Sequence, residues 1–400
     1  MTELGERIAA RIARLGPISL AEYMAEALTR PAGGYYMAGD PFGAAGDFVT
    51  APEISQMFGE LLGLWCADTW QRLGAPEPVL LVELGPGRGT LLADALRAAR
   101  GVPGFPKALH PHLVEASPAL AARQRIALAP HEATLGREPR WHASLGEVPE
   151  GPLLLIANEF FDALPVRQFE RRPEGWCERR VALAEDGATL VLAPGPPSPA
   201  VAALVPALLR DSEVGSVVEV SSAAASTAAE IGRRLAAEGG AALIVDYGHD
   251  RPRCGATLQA LSRHARRDIL EAPGSADLTA HVDFSALAEA AESAGASAHG
   301  PVPQSGFLEA LGIRQRAAAL AARADARQAA EIDAALARLT DPAGMGGLFR
   351  VLALTAPGLG APAGFESASF ESASFESASF ESASFESAGF ESASFESAGS

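Results

Sequence analysis

The chain has almost no lysine: of its 32 basic residues only Lys107 is not arginine. With 40 glycines and abundant alanine, this reads as coding bias rather than function. Positive charge is also sparse against a net charge of −17. The last 36 residues hold seven Glu and no Lys or Arg, which leaves −10 on the rest. The basic residues are scattered and form no block, and binding along a phosphate backbone needs a concentrated positive surface, so no nucleic-acid partner is expected. Cys66, Cys177 and Cys254 are odd in number, far apart and in no C-x-x-C pair. Neither a disulfide framework nor a metal site is expected from them. No apolar run approaches the roughly 20 residues of a membrane-spanning helix, so no membrane span is expected. The opening stretch MTELGERIAARIARLG carries Glu3 and Glu6, unlike an acid-poor transit peptide. A soluble, reducing, cytoplasmic setting is the expectation.

What is present allows a sizeable core, since 48% of residues are hydrophobic. The end of the chain is different. From Phe365 onward, seven copies of FESAS or FESAG follow one another. Phenylalanines five apart turn by ~140° per step on a helix, and alternate faces on a strand, so neither geometry gathers them. Residues 357–400, from the second residue of APGLGAPAG onward, are expected to be a linker and a disordered tail.

Before that tail, short apolar strands alternate with helical segments. PVLLVELG, PHLVEAS, PRWHASL, PLLLIANEF and GAALIVDYG read as five strands, and GLFRVLALTAP as a late one. Such alternation indicates a doubly wound, mostly parallel α/β sheet. One domain over 1–356 is expected, with an N-terminal helical part at 1–75. An inserted antiparallel hairpin is expected at about 166–200, and a helical insertion at about 305–340.

VELGPGRGTLL places Gly85, Gly87 and Gly89 between the first strand and its helix, with Glu83 at the strand's end. Glycines allow a sharp turn and close approach of a ligand. Thr90 stands where a dinucleotide fingerprint has its third glycine, and the Lys-Ser/Thr of a P-loop is missing. What remains, E-x-G-x-G-x-G, resembles the loop of S-adenosylmethionine-dependent methyltransferases. That cofactor has no phosphate, and an acid beside its ammonium suits it. Glu115 ends the second strand, where a carboxylate accepts ribose hydroxyls; capping the next helix is its bland alternative. The acid that many such enzymes carry after the third strand is lacking, and WHASLGEV offers His142 and Ser144 instead.

The blocks GPISLAEYMAEAL, GYYMAGDPFGAAGDFVTAPEISQMFGELLGLW, VELGPGRGTLLADALR, ANEFFDALPVRQF, IVDYG and HVDF together resemble the MidA-like methyltransferases. The likeness runs to about Ala356 and excludes the repeats. It implies a class I (Rossmann-like) methyltransferase fold with S-adenosyl-L-methionine as cofactor. The family includes a mitochondrial complex I assembly factor that methylates an arginine of a complex I subunit. A protein substrate is therefore implied, either a respiratory complex subunit or its relative in the bacterial cytoplasm. The oligomeric state is open, with a homodimer as one candidate.

In GDFVTAPEIS, Thr50 and Glu53 have capping-box spacing with Pro52 in the first turn, a structural reading. By resemblance the segment borders the cleft, which makes Asp47 and Thr50 candidates for cofactor contact. Asp246 and Tyr247 end the fifth strand at the cleft rim and are candidates for substrate binding. Asp283 reads as the N-cap of the helix that follows, and His281 as a candidate proton acceptor.

Asn158, Glu159 and Asp162 leave the apolar strand LLLIAN, where unpaired carboxylates are costly to bury. A guanidine arrives as a cation, with a pKa above ~12. Two carboxylates hold its planar fork and draw charge from the attacking nitrogen. Arginine methyltransferases of a different family place paired glutamates after the fourth strand, and Glu159 with Asp162 occupy the corresponding place. Asn158 is a candidate to orient the nucleophile, although the N-P-P-[FY] signature of base methylation is absent. Phe160 and Phe161 either line the slot or fill the core, and a structural pairing of the acids with Arg167 is the alternative. A small-molecule methyltransferase and a cofactor-binding assembly chaperone remain the competing functions.

Overall fold

The computed structural model describes residues 2–37, 50–263 and 265–365. Seven strands build the main sheet: β1 Val79–Leu84, β2 Leu109–Val114, β3 Arg140–His142, β4 Leu153–Asn158, β5 Gly240–His249, β6 Ser297–Pro303 and β7 Phe349–Thr355. Their order is β6-β7-β5-β4-β1-β2-β3, and the short pair Val282–Asp283 joins the end of β5. β1 to β5 run parallel, while β7 lies antiparallel between β5 and β6. The chain winds outward through β2 and β3 and returns to β4 beside β1. The carboxyl ends of β1 and β4 therefore flank the switch point where open α/β sheets bind ligands. All five parallel strands are among those read in the sequence; β6 is not.

β1 and β4 are buried along their whole length, so neither alternates apolar with polar residues. Alternation survives in where side chains go. Leu81, Leu154, Ile156 and Leu243 pack on one face with Phe58, Leu62 and Trp65 of helix Gln56–Arg72. Leu80, Val82, Leu155 and Ile244 pack on the other with Ile231, Leu235 and Leu287. Period two puts Glu83 and Asn158 at the ends of the first face and Asp246 at the end of the second.

Helix Gln56–Arg72 lies unusually close to helix Thr90–Ala99. A Cβ at Gly63 would stand 2.5 Å from the Ala95 carbonyl oxygen, and one at Gly59 would stand 2.7 Å from Asp94 Cβ. Gly232 serves the opposite layer in the same way, against Ala291.

The decorations exceed the expected hairpin. Arg167–Arg172, Gly175–Leu183 and Leu190–Pro194 join Val217–Val220 and the N-terminal pair Ile18–Ser19 in a five-stranded antiparallel sheet. Gln259–Ser262, Ala265–Arg267 and Asp277–Thr279 form a third, three-stranded sheet. Helices Glu3–Leu15 and Leu20–Thr29 bury Ile8, Leu20, Tyr23 and Met24 against Val181 of one sheet and Leu278 of the other. Ser19 and Glu22 close a reciprocal capping box at the second helix. Helices Gln304–Ala310, Ile313–Ala321 and Ala326–Thr340 occupy 304–340. Residues 357–364, expected as linker, and Phe365, expected to open the disordered tail, pack on the domain instead: Trp65 Nε1 donates to the Ala363 carbonyl at 3.2 Å and Phe365 lies 5.5 Å from Phe307. The repeats beyond them lie outside the described residues.

Candidate active site

Gly85, Gly87 and Gly89 all have positive φ, at 60°, 54° and 82°, which explains why the loop after β1 uses glycine at each place. Gly85 has a second reason: a Cβ there would come within 3.0 Å of the Phe160 ring. Behind the loop stands Gln124, fully buried on helix Pro118–Leu128. Its Nε2 donates to the Gly87 carbonyl at 2.8 Å and to Glu115 Oε2 at 2.9 Å, and its Oε1 accepts from Trp141 Nε1 at 2.8 Å. One amide thus ties the loop after β1, the acid after β2 and the aromatic of β3. The Ser117 amide donates to the other Glu115 oxygen at 2.8 Å.

A cleft of about 510 Å³ opens over these strand ends. Gly85, Gly87, Glu115, Ser144 and Thr50 are among its lining residues, and so are Glu159, Phe160, Asp162, Tyr247, Tyr36 and Asp277. A small pocket of about 40 Å³ adjoins it beneath the loop, between Glu83, Asn158, Glu159 and Thr50. Two buried acceptors there lack partners among the described residues, Glu83 Oε2 and Asn158 Oδ1. Burial, and then the charge of Glu115, push the Glu83 carboxyl up to about 8.

The turn after β4 is held from below. Asp246 is wholly buried and accepts the amides of Phe160, Phe161 and Asp162 at 3.2, 2.9 and 3.2 Å with Oδ2, and that of Tyr247 at 2.9 Å with Oδ1. Expected to meet substrate, Asp246 is instead the anchor that shapes the turn. Its neighbour Tyr247 does reach the cleft, and its hydroxyl donates to Asp162 Oδ2 at 2.5 Å. Asp162 Oδ1 is buried without a hydrogen-bond partner among the described residues. Burial pushes Asp162 up to about 6. Burial, and then the Asp162 charge, push Glu159 up to about 7. Glu159 itself sits at positive φ, 48°, with Oε1 accepting from the Ala51 amide at 3.1 Å and from Asn158 Nδ2 at 3.3 Å.

Several expectations change. Arg167 pairs with Glu178 at 2.6 Å, not with the cleft acids. Thr50 occupies the N-cap position of helix Ala51–Ile54 but makes no side-chain cap bond. Glu53 leaves the capping box and accepts from Thr90 Oγ1 at 2.5 Å, bracing the glycine loop. Phe161 belongs to the core, whereas Phe160 lines the cleft. His281 is not among the cleft-lining residues; its ring packs edge-on to Tyr247, 5.7 Å away, and burial pushes it down to about 4. Asp283 caps its helix through the Ser285 and Ala286 amides. Asp47 lies outside the described residues. Gln124, Tyr36 and Asp277 were not singled out in the sequence, because their partners are distant in it and no local pattern marks them.

The parallel sheet, glycine loop and strand-end acids define a class I methyltransferase. A family model of S-adenosyl-L-methionine-dependent methyltransferases matches residues 61–302, and this chain belongs to that family. It is 43% identical to the mitochondrial protein arginine methyltransferase NDUFAF7 of Mus musculus, over 76% of this chain and 73% of the relative. The counterpart in Danio rerio is 39% identical over 86% and 85%. A crystal structure of a Burkholderia thailandensis protein bound to S-adenosyl-homocysteine superposes with a TM-score of 0.79, at 32% identity, covering 90% of this chain and 93% of that one. The protein is an S-adenosylmethionine-dependent methyltransferase.

Proposed function

We propose that it methylates arginine side chains of a protein, and that the acceptor enters beside Asp162. The observation that carries this reading is that Asp162 Oδ1 has no partner among the described residues, in a cleft whose ionisable lining among them is acid and tyrosine. A buried acceptor without a donor is costly, and a guanidinium N–H removes the cost. The names of the relatives support the same acceptor.

The cofactor fits the residues present. Glu83 Oε2 and Asn158 Oδ1 are orphaned acceptors suited to its ammonium, Glu115 to its ribose hydroxyls, and the three glycines to close backbone approach. Thr50 lines both the cleft and the small pocket. When bound, the cofactor supplies a methyl group on positively charged sulfur. The chain's residues do the rest. Asp162, oriented by Tyr247, holds the acceptor cation, and Phe160 lines the approach. Glu159, between the small pocket and the cleft, accepts the proton that the nitrogen gives up, a task suited to a carboxyl near 7. A respiratory complex subunit in the bacterial cytoplasm is the proposed acceptor, on the family resemblance; a second copy of the chain is a proposed partner on no stronger ground.

The deciding experiment is mass spectrometry of protein arginines in cells with and without this chain. Arginine methylation that disappears with the chain supports the reading, and an unchanged arginine methylome overturns it.

A further inference from the structure

The cleft contains two tyrosine–aspartate pairs, and the reading above uses one. Tyr36 Oη donates to Asp277 Oδ1 at 2.8 Å, beside the Tyr247–Asp162 bond of 2.5 Å. All four residues line the same cleft. They come from different segments: Tyr36 follows the N-terminal helices, Asp277 starts the last strand of the three-stranded sheet, and the other two follow β4 and end β5. The amide of Ala280 donates to the Asp162 carbonyl at 2.9 Å, so the segment bearing Asp277 is fastened to the turn bearing Asp162. Asp162 and Asp277 are 6% and 5% exposed.

We propose that Tyr36 and Asp277 form the second half of the acceptor slot and set its preference for a planar guanidinium over an ammonium. Two carboxylates on separate segments meet different N–H groups of one guanidinium, which has five donors in a fixed plane. An ammonium is a compact point charge whose three donors do not span a plane. Each tyrosine donates to its own aspartate and so fixes the carboxylate plane before the acceptor arrives. Burial and the charges of Asp277 and Asp162 push the Tyr36 phenol well up, which keeps it a donor. The inference rests on the arginine reading.

The test uses tritiated S-adenosylmethionine and lysate protein from cells lacking the chain, with hydrolysis and separation of methylated arginine from methylated lysine. Tyr36→Phe and Asp277→Asn are compared with wild type, alongside calorimetric affinity for S-adenosyl-homocysteine. The expected result is at least a tenfold loss of arginine labelling at low lysate concentration. The loss shrinks as lysate is raised, and cofactor affinity stays within twofold. Wild-type labelling by both variants overturns the assignment, and so does a parallel fall in cofactor affinity, which marks a purely structural pair. If Asp277→Asn does not fold, Tyr36→Phe, which removes one oxygen, decides alone. Label from the wild type in something other than arginine refutes the arginine reading itself, and is told apart because it needs no variant.

Discussion

Glu159 Oε1 accepts the Ala51 amide at 3.1 Å, so a carboxylate leaving β4 caps a helix 108 residues earlier in the chain. The same side chain faces the small pocket and the cleft. Capping asks only for an acceptor; neutralising a cation or taking a proton asks for a charge. Glutamine separates the two. Glu159→Gln keeps an oxygen for Ala51, so melting and cofactor affinity stay near wild type, while transfer falls roughly 10²-fold. Asp162→Asn does the same, and the double variant loses less than the product of the two because both acids serve one acceptor. Single-turnover transfer from labelled cofactor reads this directly. Near-wild-type transfer by either variant makes that acid structural.

The same acids predict a pH profile. Glu159 is raised to about 7 and Asp162 to about 6, so below those values both are protonated and neither attracts a cation. Transfer at low acceptor concentration therefore rises with pH through the range from about 5 to 8. Its apparent pKa values belong to the pair rather than to either residue. Tyr247→Phe removes the donor to Asp162 and is expected to shift the rise upward. A rate independent of pH over this range would exclude an ionised pair.

Gln124 yields a prediction about the cofactor alone. Gln124→Leu keeps the volume but strips the Gly87 carbonyl, Glu115 and Trp141 of their shared partner. Affinity for S-adenosyl-homocysteine is expected to fall by about tenfold or more, of the order of the one to three kcal/mol set by buried groups left unpaired. The acceptor KM stays unchanged. A shift in acceptor KM with cofactor affinity intact would place Gln124 elsewhere in the mechanism.

How legible the site was depended on whether its parts were local. The glycine loop and the acids at the ends of β1, β2 and β4 stand out because a strand end and a turn lie within a few residues. The Asp246 anchor was misread as substrate-facing: in sequence a strand-end aspartate at a rim looks the same whether it points up or down. The direction follows only in the folded sheet, where both faces of β5 are packed and period two puts Asp246 on the side of Ala242 and Ile244. The capping-box pattern at Thr50 was misleading for a related reason. Glu53 had a better partner in Thr90, and Ala51 had one in Glu159, both far along the chain. Asp277 carried no pattern at all and Tyr36 stood out only as part of a family block; folding alone brings them together.

Gly63 tests the packing under the site. A valine there would push Cβ to 2.5 Å from the Ala95 carbonyl, which belongs to helix backbone and cannot step aside. Gly63→Val is expected to destabilise the domain by about 2 kcal/mol or more, as an overpacked helix contact does. Denaturant unfolding measures it. Stability within error of wild type would mean that the two helices separate at little cost.

Glu83 couples cofactor binding to protons. Its carboxyl is raised from 4.5 to about 8 by burial and by Glu115, so at pH 7 the empty protein holds it largely protonated. An ammonium arriving beside the unpartnered Oε2 favours the ionised form, and the proton leaves on binding. Calorimetry at pH 7 in phosphate and in Tris, whose ionisation enthalpies differ, should show net proton release. Stability has the opposite sign. Between about 4.5 and 8 the folded state keeps a proton that the unfolded chain has lost, so the empty protein loses stability as pH rises through that window. Glu83→Gln removes this penalty: the empty variant is expected to melt higher than wild type at pH 9 and about equally at pH 4. It also binds S-adenosyl-homocysteine at least tenfold more weakly, since an amide does not neutralise an ammonium. Tight binding by Glu83→Gln, or heats that match in the two buffers, would remove Glu83 from the cofactor's ammonium and leave the orphaned oxygen to be explained by another ligand atom.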